Sequence, residues 1–182
     1  MSGILPIYTY DHPILRQKLA AVAQVDDAVV QLALAMHETM VQADGIGLAA
    51  NQVGRDLQML VVNIGEDEDG RAVAPLTMIN PRIEAETEEE VISEEGCLSL
   101  PHLRADVARA EAIEVHFLDA AEKEQVLTAE GLLARVIQHE IDHLRGVYFF
   151  DHLSPMRRSL LKRRLLEIKR GEVEADYELY RA

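Results

Sequence analysis

The chain has 182 residues, 48% hydrophobic content, no tryptophan and a formal net charge of −14. That length allows one compact catalytic domain, 1–182, with an aliphatic core, and the charge excludes a general DNA or RNA binder. The lone cysteine, Cys97, excludes an internal disulfide framework and suits a reducing cytoplasm. The opening from Met1 to Pro6 has no basic region and no long apolar run, so no signal peptide is read. No stretch approaches the roughly 18 apolar residues of a membrane span.

In chain order, Asp26 or Asp27 caps a first long helix that runs to about Ala43, with Val29, Leu32, Met36 and Met40 at helical spacing toward the core. Residues 45–54, GIGLAANQVG, follow as a glycine-marked loop. Residues 57–64 read as a strand, 65–70 as an acidic turn, and 76–83 as a strand broken at Pro81. Around Cys97, Gly96 and Pro101 favour an ordered, irregular segment over a plain strand. Residues 112–118 alternate as a strand should, and 125–128 can pair with them across a turn at 120–123. A second helix covers about 130–144 and stops at Gly146. Ser154 and Pro155 open a basic C-terminal helix, 154–171, as N-cap and first helical residue, and an acidic tail fills 172–182. Strands and helices do not alternate regularly. The predicted class is therefore α+β, with small antiparallel or mixed sheets around a central HExxH-bearing helix.

That central helix carries His139-Glu140-Ile141-Asp142-His143. Positions i and i+4 share a helix face, so both imidazoles can reach one divalent metal ion. Glu140 lies about 60° around the helix from His143 and can touch a water held by that metal. Leu132 and Val136 continue the histidine stripe as an apolar wall, while Leu133, Ile137, Ile141 and Leu144 form the stripe that enters the core. For the third ligand, His152 and Glu167 lie downstream, where the best-known HExxH proteases keep theirs. The position of the metzincin third histidine is Phe149, which cannot ligate. Cys97 is the better donor, since thiolate binds a borderline-soft divalent metal well. An HExxH metallopeptidase that cleaves internal peptide bonds remains the competing activity at this point.

Three segments narrow the choice. GIGLAANQVG (45–54), EEGCLSLP (94–101) and QHEIDHLRG (138–146) resemble the three signature motifs of bacterial peptide deformylases, in that family's order and at comparable separations. The opening around Asp11-His12-Pro13 is also similar to the family's start. The resemblance implies removal of the formyl group from N-formylmethionine on new polypeptides, with a metal-held water attacking the formyl carbon. It implies Cys97, His139 and His143 as ligands of one ferrous ion, with zinc, nickel or cobalt as substitutes. It implies Glu140 as general base and acid, Gln52 and the backbone N–H of Leu98 as donors to the formyl oxygen, and Gly47 as a hydrogen-bond partner of the substrate backbone. Ile46, Leu132 and Val136 are the candidates for the methionine side-chain pocket.

Further expectations concern charged groups. Asp142 can pair with Arg109, Glu95 can pair with Arg104 at the pocket mouth, and Arg135 should reach out to solvent. His37, His102, His116 and His152 have no catalytic part. Residues 157–170 hold seven basic residues against one acid, Glu167, a balance of +6. They can form a solvated face over Leu160, Leu161, Leu165 and Ile168, or, as the family resemblance suggests, dock on ribosomal RNA.

Overall fold

A computed structural model describes residues 3–67 and 69–180. The first two residues of the leader reading, Glu68 of the acidic turn and the last two residues of the tail lie outside the described residues. Helix α1 (Asp27–Gln42) starts where the Asp26 side chain accepts from the Val29 N–H at 3.0 Å, which satisfies one free donor of the first turn. The predicted loop at 45–54 holds a short strand, β1 (Gly47–Ala49), and a 3-10 turn over Ala50–Val53. It is followed by β2 (Met59–Val62) and β3 (Leu76–Glu86). Pro81 does not break β3. The strand passes it through a register shift between Ile79 and Arg82, with Asn80 at a φ of 52°. A bulge of this kind is where a strand tolerates a proline. Asn80 also fastens the bulge, accepting from the Val22 N–H at 2.8 Å and donating to the Val22 carbonyl at 2.9 Å.

The principal departure from expectation is a hairpin of β4 (Glu90–Cys97) and β5 (Leu100–Ala110), which forms a separate two-stranded sheet. Cys97 thus ends a strand, and the expected irregularity shrinks to a register shift between Gly96 and Cys97. Strands β6 (Ala112–Leu118) and β7 (Glu124–Glu130) pair as predicted. The larger sheet has the order β1-β2-β3-β6-β7, antiparallel throughout. Helix α2 (Gly131–Leu144) lies on one face of that sheet. There Ala134, Ile137, Ile141 and Leu144 meet Leu60, Val62, Met78, Val115 and Phe117. Helix α1 lies on the other face, where Met36 and Met40 pack on Leu48, Met59, Val61 and Ile79. Both faces of β2 are covered, which explains its unbroken apolar run Met-Leu-Val-Val.

The basic C-terminal helix is divided at Leu161 into α3 (Pro155–Leu160) and α4 (Lys162–Lys169), with Ser154 as the expected N-cap. Leu165 and Ile168 seat α4 on a third cluster built from Leu100, Leu103, Val107 and the aromatic run Tyr148, Phe149 and Phe150. Beyond α4 the tail returns to the start of the chain. Ile7 and Leu179 form a parallel bridge, the Ile7 N–H donates to the Glu178 carbonyl at 2.8 Å, and the Tyr180 N–H donates to the Ile7 carbonyl at 2.8 Å. Among the described residues no helix is long and apolar enough to cross a membrane.

Helix α2 stops at Gly146, whose φ is 74° and whose Cβ, if it had one, would lie 2.5 Å from the Arg16 carbonyl oxygen. Left-handed backbone alone costs a non-glycine residue about 1–2 kcal/mol. Gly146→Ala should therefore lower the melting temperature by roughly 2–8 °C, measured by thermal unfolding. An unchanged melting temperature would contradict the close approach described.

Candidate metal centre

Helix α2 carries its core stripe inward and turns His139 and His143 toward the β4–β5 hairpin. The ligating atoms of Cys97, His139 and His143 all lie within 4.8 Å of one another, with Cys97 Sγ 3.2 Å from His143 Nε2. A tetrahedral ion with ordinary Zn–S and Zn–N bond lengths needs its ligand atoms roughly 3.3–3.6 Å apart, so the three groups need to shift little to share one cation. The expected ligand set is therefore brought together. The downstream alternatives are not: Glu167 faces Arg163 and Arg164 at 3.0 Å each, and His152 Nε2 faces Asp142 at 2.7 Å.

The electrostatics favour a cation at this point. His139 Nδ1 donates to Glu95 Oε2 at 2.8 Å, which leaves its Nε2 toward Cys97 and His143. Burial would lower the proton affinity of His139, yet the sulfur of Cys97 and the carboxylate of Glu95 lift its pKa to about 10. The same two groups attract a metal ion, which must displace that proton. Burial, aided by the charge on His139, holds His143 well below its ordinary value, so its ring is neutral with a free lone pair. Glu140 is 4% exposed and its Oε2 has no hydrogen-bond partner. Burial first, then the Glu95 and Asp142 charges, raise its pKa to about 7 against the pull of His139 and Arg109. An orphaned carboxylate oxygen poised near neutrality, beside a Cys-His-His cluster, fits a water-activating metal site.

The residues around the cluster form a cleft of about 520 Å³. Gly47 stands against Glu140: a Cβ there would lie 2.5 Å from Glu140 Oε1 and 2.8 Å from Val136 Cγ1. Ile46, Leu132 and Val136 line the same cleft, as does Leu98. Gln52 is buried, with Oε1 accepting from the Ala49 N–H at 2.8 Å. That bond fixes its amide, and Nε2 points to Cys97 Sγ at 3.4 Å and Ser99 Oγ at 3.2 Å. The N–H of Leu98 has no acceptor among the described residues. Gln52, Cys97, Leu98, His139 and Glu140 line this cleft together with Ile46, Gly47, Leu132 and Val136, while His143 stands behind it beside Cys97. His37 and His116 bond elsewhere, to Thr77 and Glu114, and His102, at the cleft wall, bonds to the Glu174 carbonyl.

Two charge expectations are corrected. Arg104 pairs with Glu94 at 3.4 Å, whereas Glu95 points inward and takes Arg109 at 2.7 Å and Arg135 at 2.8 Å. Residues alternate across a strand, so Glu94 and Glu95 must face opposite ways. Arg135 does not reach solvent, because it also donates to the Val107 carbonyl at 3.0 Å. The expected Arg109–Asp142 pair is present at 2.7 Å. Burial alone would raise the Glu95 carboxyl, yet the hydrogen bonds from His139 and Arg109 hold it far below the usual carboxylate range. The role of Glu95 was hidden in a run of surface-like acids, and the tail residues Ala175, Asp176 and Tyr177, which also line the cleft, carried no signal in the sequence.

Comparison with known proteins gives a consistent picture. The family model described as polypeptide deformylase matches residues 4–159. A peptide deformylase of Salinibacter ruber is 48% identical over 183 residues, covering 97% of this chain and 94% of its own. The crystal structure of an Ehrlichia chaffeensis peptide deformylase in complex with actinonin superposes with a TM-score of 0.86 at 37% identity, covering 96% of this chain and 100% of that one. A class I type b peptide deformylase of Acinetobacter baumannii with bound Met-Ala-Ser gives 0.80 at 34% identity, over 84% of this chain and 100% of its own.

Glu95 offers the test of the site's construction. Its replacement by Ala leaves Arg109 and Arg135 buried without their shared partner, which should cost about 3–5 kcal/mol. It also frees the His139 ring, which should weaken metal affinity about 10–100-fold. Thermal unfolding and chelator competition measure the two losses. Full retention of metal affinity would refute the orienting role.

Proposed function

The chain belongs to the peptide deformylase family and is an enzyme that removes the N-formyl group from peptides at a Cys-His-His metal site; on that premise we propose how its own residues divide the work. Cys97, His139 and His143 hold the ion, which we take to be ferrous iron, with zinc, nickel or cobalt able to occupy the same donors. A divalent cation held by these donors would acidify a water. Glu140 takes the water's proton on its partnerless Oε2 and returns it to the departing amine. Burial favours the protonated form of its carboxyl, which suits a group that takes up a proton and then returns it. The Nε2 of Gln52 and the N–H of Leu98 donate to the formyl oxygen as negative charge grows on it. Gly47 lets the substrate backbone approach Glu140 closely, and Ile46, Leu132 and Val136 receive the methionine side chain.

The single observation that carries this division is the orphaned Glu140 oxygen beside the three convergent ligand atoms. The Met-Ala-Ser bound to the Acinetobacter relative is the peptide that formyl-Met-Ala-Ser would leave behind, which supports newly made formylated chains as substrates here. The cytoplasm is the compartment where such chains arise and where the Cys97 thiol stays reduced.

We also propose that α3 and α4 dock on the ribosome. Their cations are mostly engaged at the surface, Arg157 with Asp106 at 3.2 Å and Lys169 with Asp11 at 2.6 Å. Exposed pairs of this kind are worth only about 0–1 kcal/mol, so phosphate can replace the carboxylates. The exposed Met156 and Leu160 lie on the same helix.

Two outcomes are expected. With anaerobically prepared enzyme and formyl-Met-Ala-Ser, Glu140→Ala should lower amine release by roughly 10²–10⁴-fold with metal retained, and Gln52→Leu by roughly 10²–10³-fold. Activity near the parent's in Glu140→Ala would refute its role. Neutralising Arg157, Arg158, Arg163 and Arg164 should abolish salt-sensitive pelleting with ribosomes, and unchanged co-sedimentation would refute the docking.

A further inference from the structure

The segment 173–180 takes no part in the chemistry above, yet Ala175, Asp176 and Tyr177 stand in the wall of the same cleft. It is fastened at both ends. Val173 is buried in the cluster under α4, and His102 Nε2 donates to the Glu174 carbonyl at 2.9 Å. At the far end Tyr180 stacks on Tyr8 with ring centres 4.0 Å apart, and the backbone bonds to Ile7 close the segment. Between these anchors, Tyr177 Oη donates to the Leu98 carbonyl at 2.7 Å.

That carbonyl occupies a sensitive place. Leu98 and Ser99 are the two residues of the turn between β4 and β5. Their shared peptide is the central one of the turn, the unit whose rotation interconverts the common turn types. Tight hairpin turns are ordinarily locked by Asn-Gly or similar pairs, and Leu-Ser has no such preference. The lock must come from outside the turn. Tyr177 supplies it at the Leu98 carbonyl, and the Tyr10 N–H holds the following carbonyl, that of Ser99, at 3.0 Å. The same N-terminal stretch donates from the Tyr8 N–H to the Gln52 carbonyl at 2.8 Å. Both proposed donors to the formyl oxygen are therefore braced by residues 7–10 and the tail that runs beside them.

We propose that Tyr177 is a positioning residue for deformylation: its hydroxyl holds the Leu98 carbonyl, so that Leu98 is pinned between this bond and the paired strand end at Cys97 and keeps the N–H it carries directed at the formyl oxygen. This rests on the reading of Leu98 as an oxyanion donor, and the test separates the two. Tyr177→Phe keeps the ring in the wall and deletes only the hydrogen bond. In metal-loaded enzyme the variant should lower kcat roughly tenfold, short of the roughly 10²–10³-fold that follows loss of a donor outright. KM for formyl-Met-Ala-Ser and the melting temperature should stay near the parent's. In the zinc-loaded enzyme the backbone 15N order parameter of Leu98 should fall, with that of Val61 in the central sheet as the unmoved reference. An unchanged Leu98 order parameter overturns the positioning role. A lowered order parameter with unchanged kcat also overturns the proposal, and places the fault in the oxyanion reading of Leu98.

Discussion

The buried Glu95 carboxylate holds the catalytic half of this molecule together. It receives His139 from α2, Arg109 from β5 and Arg135 from one helical turn before His139. The two-stranded sheet is not hydrogen-bonded to the larger one, so this contact does what a strand ladder would otherwise do. A carboxylate with two guanidinium partners stays ionised at burial depth, and an ionised partner on Nδ1 gives His139 one tautomer and one ring orientation. Structure and chemistry are thus joined at a single side chain that is not itself a metal ligand.

The rest of the site follows from how α2 divides its circumference. One stripe of aliphatic residues is spent on the larger sheet, and the adjacent stripe ends in the two histidines. Glu140 falls between the stripes, which is why it is buried and yet has an oxygen without a partner. Gly47 completes the arrangement from the opposite side, since any side chain there would occupy the space beside Glu140. Cys97 joins the cluster at the point where the hairpin shifts register.

The legible parts of the sequence were those governed by periodicity or by chemistry at fixed spacing. The helix over 27–42, the β6–β7 pair and the His-Glu-x-x-His span were each readable from a few residues. The β4–β5 hairpin was not, because its first strand is rich in acids and its Leu98-Ser99 turn has no glycine or asparagine to mark it. The partner of Glu95 was misread for the same reason: without the strand, nothing told that Glu94 and Glu95 face opposite sides. The path of the tail was beyond reach, since an acid-rich terminus reads as solvated whether or not it is tied back by a bridge such as Ile7–Leu179.

The ligands and Glu140 lie within the residues matched by the family model, 4–159, whereas the wall formed by Ala175, Asp176 and Tyr177 lies past them. A ligand held by the ion's donors alone would touch only residues inside that match, whereas one extended as far as Tyr177 would also grip a segment that is itself tied back to the chain's start at Ile7.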